Sequence, residues 1–251
     1  MIVVETSGPV TALVMARPER RNALDQPTIH ALRDGIRAAE ADTACRCLII
    51  RGSAGTFCSG RDLGDARRDA PLEEILAYDD AWADIIGDLR SLPKPSIAVV
   101  SGHAVAGGFT LAMACDFVLA ERSARFGALE MKGGFPAAVN TAILTHLVSR
   151  RVALAYLLSD ETFPAERLLR DGLVSEIADG AADLERIERA MSERLVRLDP
   201  TAVRLTKESS RAMAASPESE AIRAGSQLNS LMMASGRITA ARDRLSRNKG
   251  S

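Results

Sequence analysis

Short apolar runs and segments of helical spacing follow one another along the first two thirds of the chain. Apolar residues at 2–6 and 10–16 surround a Ser-Gly-Pro turn and predict a pair of short strands. Residues 47–50, 96–102 and 116–121 are largely apolar and predict further strands of the buried type. Strands that alternate with helices are typical of α/β proteins, in which most strands pair in parallel.

Helices are predicted between these strands from apolar positions that recur on one face. Asp25 is the expected N-cap of the first helix, and Pro27 lies in its first turn. The apolar face of that helix contains Ile29, Leu32 and Ile36. A second helix is predicted from the apolar positions Tyr78, Trp82, Ile85, Ile86 and Leu89.

The pattern becomes entirely helical from about residue 184. One apolar stripe is formed by Leu184, Ile187, Met191, Leu195 and Leu198. Ser216 and Pro217 predict the start of another helix, as a cap followed by a first-turn proline. We therefore expect a core over residues 1–183 and a helical C-terminal region over residues 184–251. The apolar stripes of these helices are too long to be covered by a single core. We therefore expect them to pack against other copies of the chain in a homo-oligomer.

Composition and charge exclude several classes of partner. The chain has 251 residues, 47% of them hydrophobic, and a net charge of −1. This charge gives no general attraction to nucleic acid or to a membrane surface. No apolar run approaches the roughly 20 residues of a membrane span, and Glu5 and Gly8 interrupt the N-terminal segment. We expect a cytoplasmic protein without nucleic-acid or membrane partners.

The cysteines and histidines do not predict a metal site. Their spacing lacks the paired ligands of a zinc site, and the histidines are far apart in the sequence. The cysteines are Cys45, Cys47, Cys58 and Cys115, and the histidines are His30, His103 and His146. No metal is expected, and reduced cysteines fit the cytoplasmic location.

Two glycine-containing turns follow predicted strands. Gly107 and Gly108 precede a buried helical run in which Thr110 is the first polar residue, and Gly60 lies in a second turn over residues 52–63. Taken alone, each glycine turn is equally well explained as a tight connection. If both lie at the carboxyl edge of a parallel sheet, their N–H groups could converge and stabilise a negative oxygen.

Several motifs, in the order in which they occur, resemble those of the crotonase, or enoyl-CoA hydratase/isomerase, superfamily. The resemblance covers about residues 10–178 and is weak beyond residue 180. The motifs are RPERRNAL (17–24), FCSGRDL (57–63), SGHAVAGGFTLAMACD (101–116), ARFGALE (124–130) and LLSDETFPAERLLRDGLVSEI (157–177).

The resemblance implies a spiral of ββα units followed by a helical C-terminal region that helps to build trimers, often hexamers. Proteins of this superfamily bind acyl-CoA thioesters and hold the thioester oxygen between two main-chain N–H groups. Matched residue by residue, those N–H groups belong to Arg61 and Gly107. CoA is then part of the substrate, and no separate cofactor is expected.

The two acidic positions of the superfamily's hydratases are occupied differently here. The first position holds Thr110, whose hydroxyl cannot act as a base near neutral pH, and the second holds Glu130. Glu130 alone could be a solvent-facing loop residue, but with the resemblance we expect it to be the acid and base. One base suffices for Δ3,Δ2-enoyl-CoA isomerisation, which we therefore favour. A hydratase in which Thr110 orients water, and a non-catalytic acyl-CoA binder, stay open.

The resemblance also suggests residues that contact CoA. Arg20 and Arg21 fall where relatives carry basic residues near the CoA phosphates, although surface arginines would look the same. The loop of residues 59–63 supplies the remaining expected contacts, which are Ser59, Gly60, Asp62 and Leu63. Asp62 is also expected to fix the loop by accepting main-chain hydrogen bonds.

Asn140 and His103 are two further polar residues for which we expect structural roles. Asn140 follows Glu130 by ten positions, near a place where some relatives carry a catalytic polar group. The segment GGFPAAVN (133–140) is one residue shorter before its proline than the superfamily's pattern, so we expect Asn140 to cap a helix or to serve structure. His103 precedes Gly107 by four positions and is expected to be a spacer and not a base.

Overall fold

In the computed structural model, which describes residues 1–62, 64 and 70–238, the strands form a larger and a smaller sheet. The larger sheet consists, in spatial order, of β1 (Ile2–Ser7), β2 (Val10–Met15), β3 (Cys47–Gly52), β4 (Ser96–Val100), β6 (Phe117–Glu121) and β9 (Glu176–Ala178). The smaller sheet consists of β5 (His103–Val105), β7 (Arg125–Gly127) and β8 (Phe163–Pro164).

Helices connect and cover these strands. They are α1 (Gln26–Ala41), α2 (Leu72–Ser91), α3 (Gly107–Ala114), α4 (Ala138–Leu147), α5 (Arg150–Leu157), α6 (Ala165–Arg170), α7 (Ala181–Val196), α8 (Pro200–Met213) and α9 (Glu218–Ala234). Short 3-10 helices occupy Pro18–Arg20 and Leu129–Gly133. The helix expected after Asp25 is confirmed, since the Asp25 carboxylate accepts the Thr28 N–H at 2.9 Å.

Alternating side chains of the larger sheet build two separate cores. β1 pairs with β2 in antiparallel fashion, and the pairs from β2 to β9 are parallel, as predicted. On β3, Leu48 and Ile50 join the core beneath α1, α2 and α3, whereas Cys47 and Ile49 join the core beneath α7. This alternation follows from the two-residue period of a strand and explains why the central strands are apolar on both faces.

The chain passes from the larger sheet to the smaller sheet in repeated steps. β4 is followed by β5 and then by α3, and β6 is followed by β7, the 3-10 helix at Leu129–Gly133 and α4. The segment after β3 makes the same move, because Cys58 forms a parallel bridge with Ala104 of β5. The expected α/β spiral of ββα units is therefore confirmed.

The apolar stripe of α7 is buried within the chain itself. Leu184, Ile187, Met191 and Leu195 pack against the larger sheet, and only Leu198 of the predicted stripe is exposed. The compact unit extends to Val203, later than the boundary at residue 183 expected from the sequence. The α7 stripe therefore gives no support to an oligomer, because its apolar atoms already have partners.

Residues 204–251 form a second unit, which the structure describes as far as residue 238. Its helix α9 exposes the apolar side chains of Ile222, Leu231 and Met233. The trimer or hexamer stays a prediction. Among the helices that the structure describes, none combines the length and the apolar content needed to cross a membrane.

Gly108 allows α3 to pack against the segment that follows β3. A Cβ atom at this position would lie 2.3 Å from the Cys58 carbonyl oxygen and 2.8 Å from the Cys58 Cβ atom. We expect Gly108→Ala to lower the free energy of unfolding by about 1–3 kcal/mol, because main-chain atoms would have to move. Urea denaturation measures the change.

Gly87 in α2 provides the matched control. Among the described residues, a Cβ atom there would meet nothing within 4 Å. We expect Gly87→Ala to raise the free energy of unfolding by about 0.5–1 kcal/mol, because alanine is the better helix former. Equal stability of the two variants would contradict the close approach at Gly108.

Candidate active site

The turn between β5 and α3 has an uncommon main-chain conformation. Ala106, the residue before α3, has φ 49° and ψ −122°, a region that residues other than glycine rarely occupy. Residues 107–114 are all buried, so α3 begins inside the protein. The first N–H groups of a helix have no partner within it, and the Gly107 nitrogen lies close to Gly60 in the segment that follows β3.

The loop after β3 is held by main-chain hydrogen bonds to residue 24. The Leu24 N–H donates to the Gly60 carbonyl at 2.8 Å, and the Asp62 N–H donates to the Leu24 carbonyl at 2.8 Å. Gly60 has φ 96°, which favours glycine at this point of the loop. Through these two hydrogen bonds Leu24 and Arg61 form a parallel β-bridge. The Arg61 N–H makes neither of the two bonds and points away from Leu24.

The two glycine turns converge, as the sequence predicted. A Cβ atom on Gly107 would lie 3.4 Å from the Arg61 nitrogen, and one on Gly60 would lie 3.1 Å from the Gly107 nitrogen. Within the part of the chain that the structure describes, neither the Arg61 N–H nor the Gly107 N–H donates to a protein acceptor. Two adjacent donors of this kind can stabilise negative charge on one oxygen atom.

Glu130 lies in the 3-10 helix at Leu129–Gly133 and is partly buried. Its Oε1 atom accepts a hydrogen bond from Asn140 Nδ2 at 2.9 Å. Its Oε2 atom is buried and receives no hydrogen bond from the described residues. Burial raises the pKa of the Glu130 carboxyl, and hydrogen bonds from its own N–H and from Asn140 oppose the rise. A raised pKa makes the ionised carboxyl a stronger base than a solvated glutamate.

Thr110 is held within the first turn of α3. Its side chain is buried, and the residue is 1% exposed. The Thr110 hydroxyl donates to the Ala106 carbonyl at 3.3 Å, and the Thr110 N–H donates to the same oxygen at 3.1 Å. The hydroxyl hydrogen is therefore used inside the turn, although the oxygen can still accept a hydrogen bond.

Asn140 contacts Glu130, which sequence reasoning missed. It lies inside α4, where Ala137 is the N-cap residue, so of the two expected roles the helix cap is wrong and the structural role stays open. Asn140 Nδ2 donates to Glu130 Oε1 and also to the Ala106 carbonyl at 3.2 Å. The ten-residue spacing from Glu130 was the available signal, but only the fold directs the amide towards both acceptors.

The structure brings Arg20, Arg21 and Ser59 together through the main chain. The Ser59 N–H donates to the Arg21 carbonyl at 3.1 Å, and the Ser59 hydroxyl donates to the Arg20 carbonyl at 3.3 Å. Both arginines are exposed. Their contact with CoA phosphates stays a prediction.

The remaining residues of the loop have mainly supporting contacts. The Arg61 guanidinium lies 4.1 Å from the Tyr78 ring centroid and pairs with Asp79. Asp62 accepts the Gly64 N–H at 3.1 Å and pairs with Arg17 at 3.3 Å, which fixes the loop.

Leu63 and His103 are the other two residues considered from the sequence. Leu63 lies outside the described residues, so its expected contact with CoA stays a prediction. His103 begins β5 with its side chain exposed, and its carbonyl accepts the Cys58 N–H at 2.9 Å. Within the described ranges, no group of three or more His, Cys, Asp or Glu side chains could hold a metal ion.

Comparison with known proteins gives consistent matches. A family model described as enoyl-CoA hydratase/isomerase matches residues 5–244. The chain is 31% identical over 211 residues to 2,3-dehydroadipyl-CoA hydratase of Escherichia coli strain K12, covering 84% of this chain and 81% of the relative. It is also 31% identical over 211 residues to (E)-benzylidenesuccinyl-CoA hydratase of Thauera aromatica, with 82% and 80% covered.

A solved structure shows the same fold along nearly the whole chain. The crystal structure of an enoyl-CoA hydratase from Mycobacterium smegmatis superposes with a TM-score of 0.86 at 27% sequence identity. The alignment covers 92% of this chain and 91% of that chain.

The raised pKa of Glu130 can be measured directly. We expect the Glu130 carboxyl to titrate above the usual value of about 4.3, since burial disfavours its charged form. Carbon-13 NMR of the glutamate side chains measures the midpoint, and Glu130→Gln identifies the resonance by its loss. Glu166 provides an internal contrast, because its own N–H and Arg122 lower the pKa of its carboxyl. A Glu130 midpoint at or below that of Glu166 would contradict the buried site.

Proposed function

The chain belongs to the enoyl-CoA hydratase/isomerase family, and from that premise we propose that it catalyses Δ3,Δ2-isomerisation of an enoyl-CoA thioester. Glu130 is the acid and base in this proposal. The N–H groups of Arg61 and Gly107 bind the thioester oxygen. CoA belongs to the substrate, and Arg20 and Arg21 stay the proposed contacts for its phosphates.

The proton moves between two carbon atoms of the substrate through one carboxyl group. The Glu130 carboxylate takes a proton from C2 of the 3-enoyl thioester, and the electrons of the broken C2–H bond enter a dienolate. The protonated carboxyl then donates the same proton to C4. The double bond moves from C3–C4 to C2–C3, and Glu130 returns to its charged form. We assign this transfer to Oε2, because Oε1 accepts a hydrogen bond from Asn140.

Negative charge develops on the thioester oxygen during the reaction. In the dienolate, the adjacent N–H groups of Arg61 and Gly107 would donate to that oxygen, which supports the assignment of an oxyanion hole. The site also lies at the beginning of α3, where the helix dipole favours negative charge. These contributions would favour the dienolate over the neutral substrate, as catalysis requires.

We favour isomerisation over hydration because position 110 holds a threonine and no acid. A hydratase with two acids needs a base at this position to activate water, and the Thr110 hydroxyl is neutral and bonded to the Ala106 carbonyl. One carboxyl group is sufficient to move a proton from C2 to C4. Isomerisation therefore does not require a carboxyl at position 110.

Hydration is the second candidate. The relatives from Escherichia coli and Thauera aromatica are named as hydratases, which supports this alternative. The Thr110 oxygen can still accept a hydrogen bond, so the residue could orient a water molecule.

Replacement of Glu130 by glutamine tests the acid and base. Glu130→Gln keeps the shape of the side chain and removes its basicity, so we expect isomerisation to fall by about 10²–10⁴-fold. The rise in conjugated enoyl-thioester absorbance from a 3-enoyl-CoA measures isomerisation. Loss of that absorbance from a 2-enoyl-CoA measures hydration. Unchanged rates of both reactions would refute Glu130 as the base and favour a non-catalytic acyl-CoA binder or a different base.

Replacement of Thr110 by valine separates the two reactions. Thr110→Val removes one hydroxyl hydrogen bond, whose net contribution is about 1 kcal/mol, so we expect isomerisation to fall by less than about tenfold. If the hydroxyl orients a reacting water, hydration should fall much further than isomerisation. A wild-type enzyme that hydrates a 2-enoyl-CoA faster than it isomerises a 3-enoyl-CoA would establish the hydratase alternative instead.

A further inference from the structure

We propose that Asn140 is a positioning residue that holds Glu130 and the Ala106–Gly107 peptide group in a fixed relation to one another. The inference rests on the proposed function, because it concerns the acid and base and the oxyanion hole assigned there. Asn140 touches neither the proton in transfer nor the thioester oxygen. It acts through the two groups that do.

The orientation of the Asn140 amide follows from its partners. Nδ2 lies 2.9 Å from Glu130 Oε1 and 3.2 Å from the Ala106 carbonyl oxygen. A carbonyl oxygen can only accept a hydrogen bond, and the same holds for the charged carboxylate of Glu130. The opposite orientation would place the amide oxygen against two acceptors and lose both hydrogen bonds. Each hydrogen of the NH2 group therefore has its own partner.

The first contact fixes the reacting carboxyl. Glu130 belongs to a short 3-10 helix, whereas Asn140 belongs to α4, which Ile143 and Leu144 anchor in the core. The hydrogen bond ties the carboxyl to this anchored helix and leaves Oε2 as the oxygen for proton transfer. A donor to Oε1 also stabilises the charged form, so it opposes the rise in pKa that burial causes.

The second contact acts on the proposed oxyanion hole. The Ala106 carbonyl and the Gly107 N–H belong to one peptide group, whose plane decides where the N–H points. Its oxygen receives hydrogen bonds from Asn140 Nδ2, from the Thr110 N–H and from the Thr110 hydroxyl. Donors to the carbonyl polarise the peptide and strengthen its N–H as a donor. They also stabilise the uncommon conformation of Ala106.

A kinetic experiment tests the first contact. We expect Asn140→Leu to lower kcat by about ten- to hundredfold with little change in KM, because binding determinants stay and alignment is lost. The acidic limb of the pH profile of kcat/KM should move upwards by about one pH unit, since removal of a donor to the carboxylate raises the pKa of Glu130. A residue that served packing alone would lower activity equally at every pH.

A spectroscopic experiment tests the second contact. Infrared difference spectra of bound butyryl-CoA report the shift of its thioester carbonyl band to lower frequency, which measures polarisation by the oxyanion hole. We expect the shift to be smaller in Asn140→Leu than in the wild type. Glu130→Gln should lose activity but keep the shift, because the Ala106–Gly107 peptide keeps its donors.

Two further variants keep the test decisive. Thr141→Val removes the exposed Thr141 hydroxyl that donates to the Ala137 carbonyl at 2.8 Å in the same helix, and it should leave the kinetics and the spectrum unchanged. Asn140→Ala removes both N–H donors without adding a charge or a bulkier side chain. It replaces Asn140→Leu if that variant does not fold, and the same upward move of the acidic limb is expected.

The outcomes separate this inference from the proposed function. If Glu130→Gln inactivates the enzyme while the Asn140 variants keep the wild-type pH profile and carbonyl shift, the positioning role is overturned and the proposed function stands. If Glu130→Gln keeps full activity, both fail. A changed pH profile together with a reduced carbonyl shift supports the positioning role.

Discussion

The candidate site depends on one peptide group, between Ala106 and Gly107. To serve as a donor to substrate, its N–H must stay free inside a buried helix start, where an unpaired polar group is costly. The carbonyl of the same peptide is bonded on its other side by Thr110 and Asn140, and Ala106 adopts φ 49° to allow this. The turn is thus held in place by hydrogen bonds to the Ala106 carbonyl oxygen, and the Gly107 N–H is not needed to hold it.

Burial of Glu130 has two opposing consequences. Removal of water raises the pKa of the carboxyl, which makes it a stronger base once ionised but lowers the ionised fraction at a given pH. The hydrogen bond from Asn140 works in the opposite direction and keeps the charged form accessible. Burial and the Asn140 donor therefore act on the pKa of the same carboxyl in opposite directions, and burial has the larger effect.

Much of the fold could be predicted from local pattern, because apolar spacing and capping residues act over a few positions. The Asp25 cap and the two-faced strand β3 are examples. Short β5 was missed, since three residues cannot establish a period. The α7 stripe was assigned to an oligomer because a sequence does not show which surface covers an apolar face. The glycine turns were identified by their motifs, whereas the contacts of Asn140 were not predicted, because its partners come from separate elements.

The scaffold and the proton chemistry are carried by different parts of the chain. The N–H groups that could bind a thioester oxygen come from the main chain at Arg61 and Gly107, and their placement requires small residues and close packing but no particular side-chain chemistry. The carboxyl comes from Glu130 in another element. A threonine at position 110 is compatible with the turn, since it donates to the Ala106 carbonyl. Main-chain donors do not depend on which acidic side chains surround them, so one fold can host different reactions.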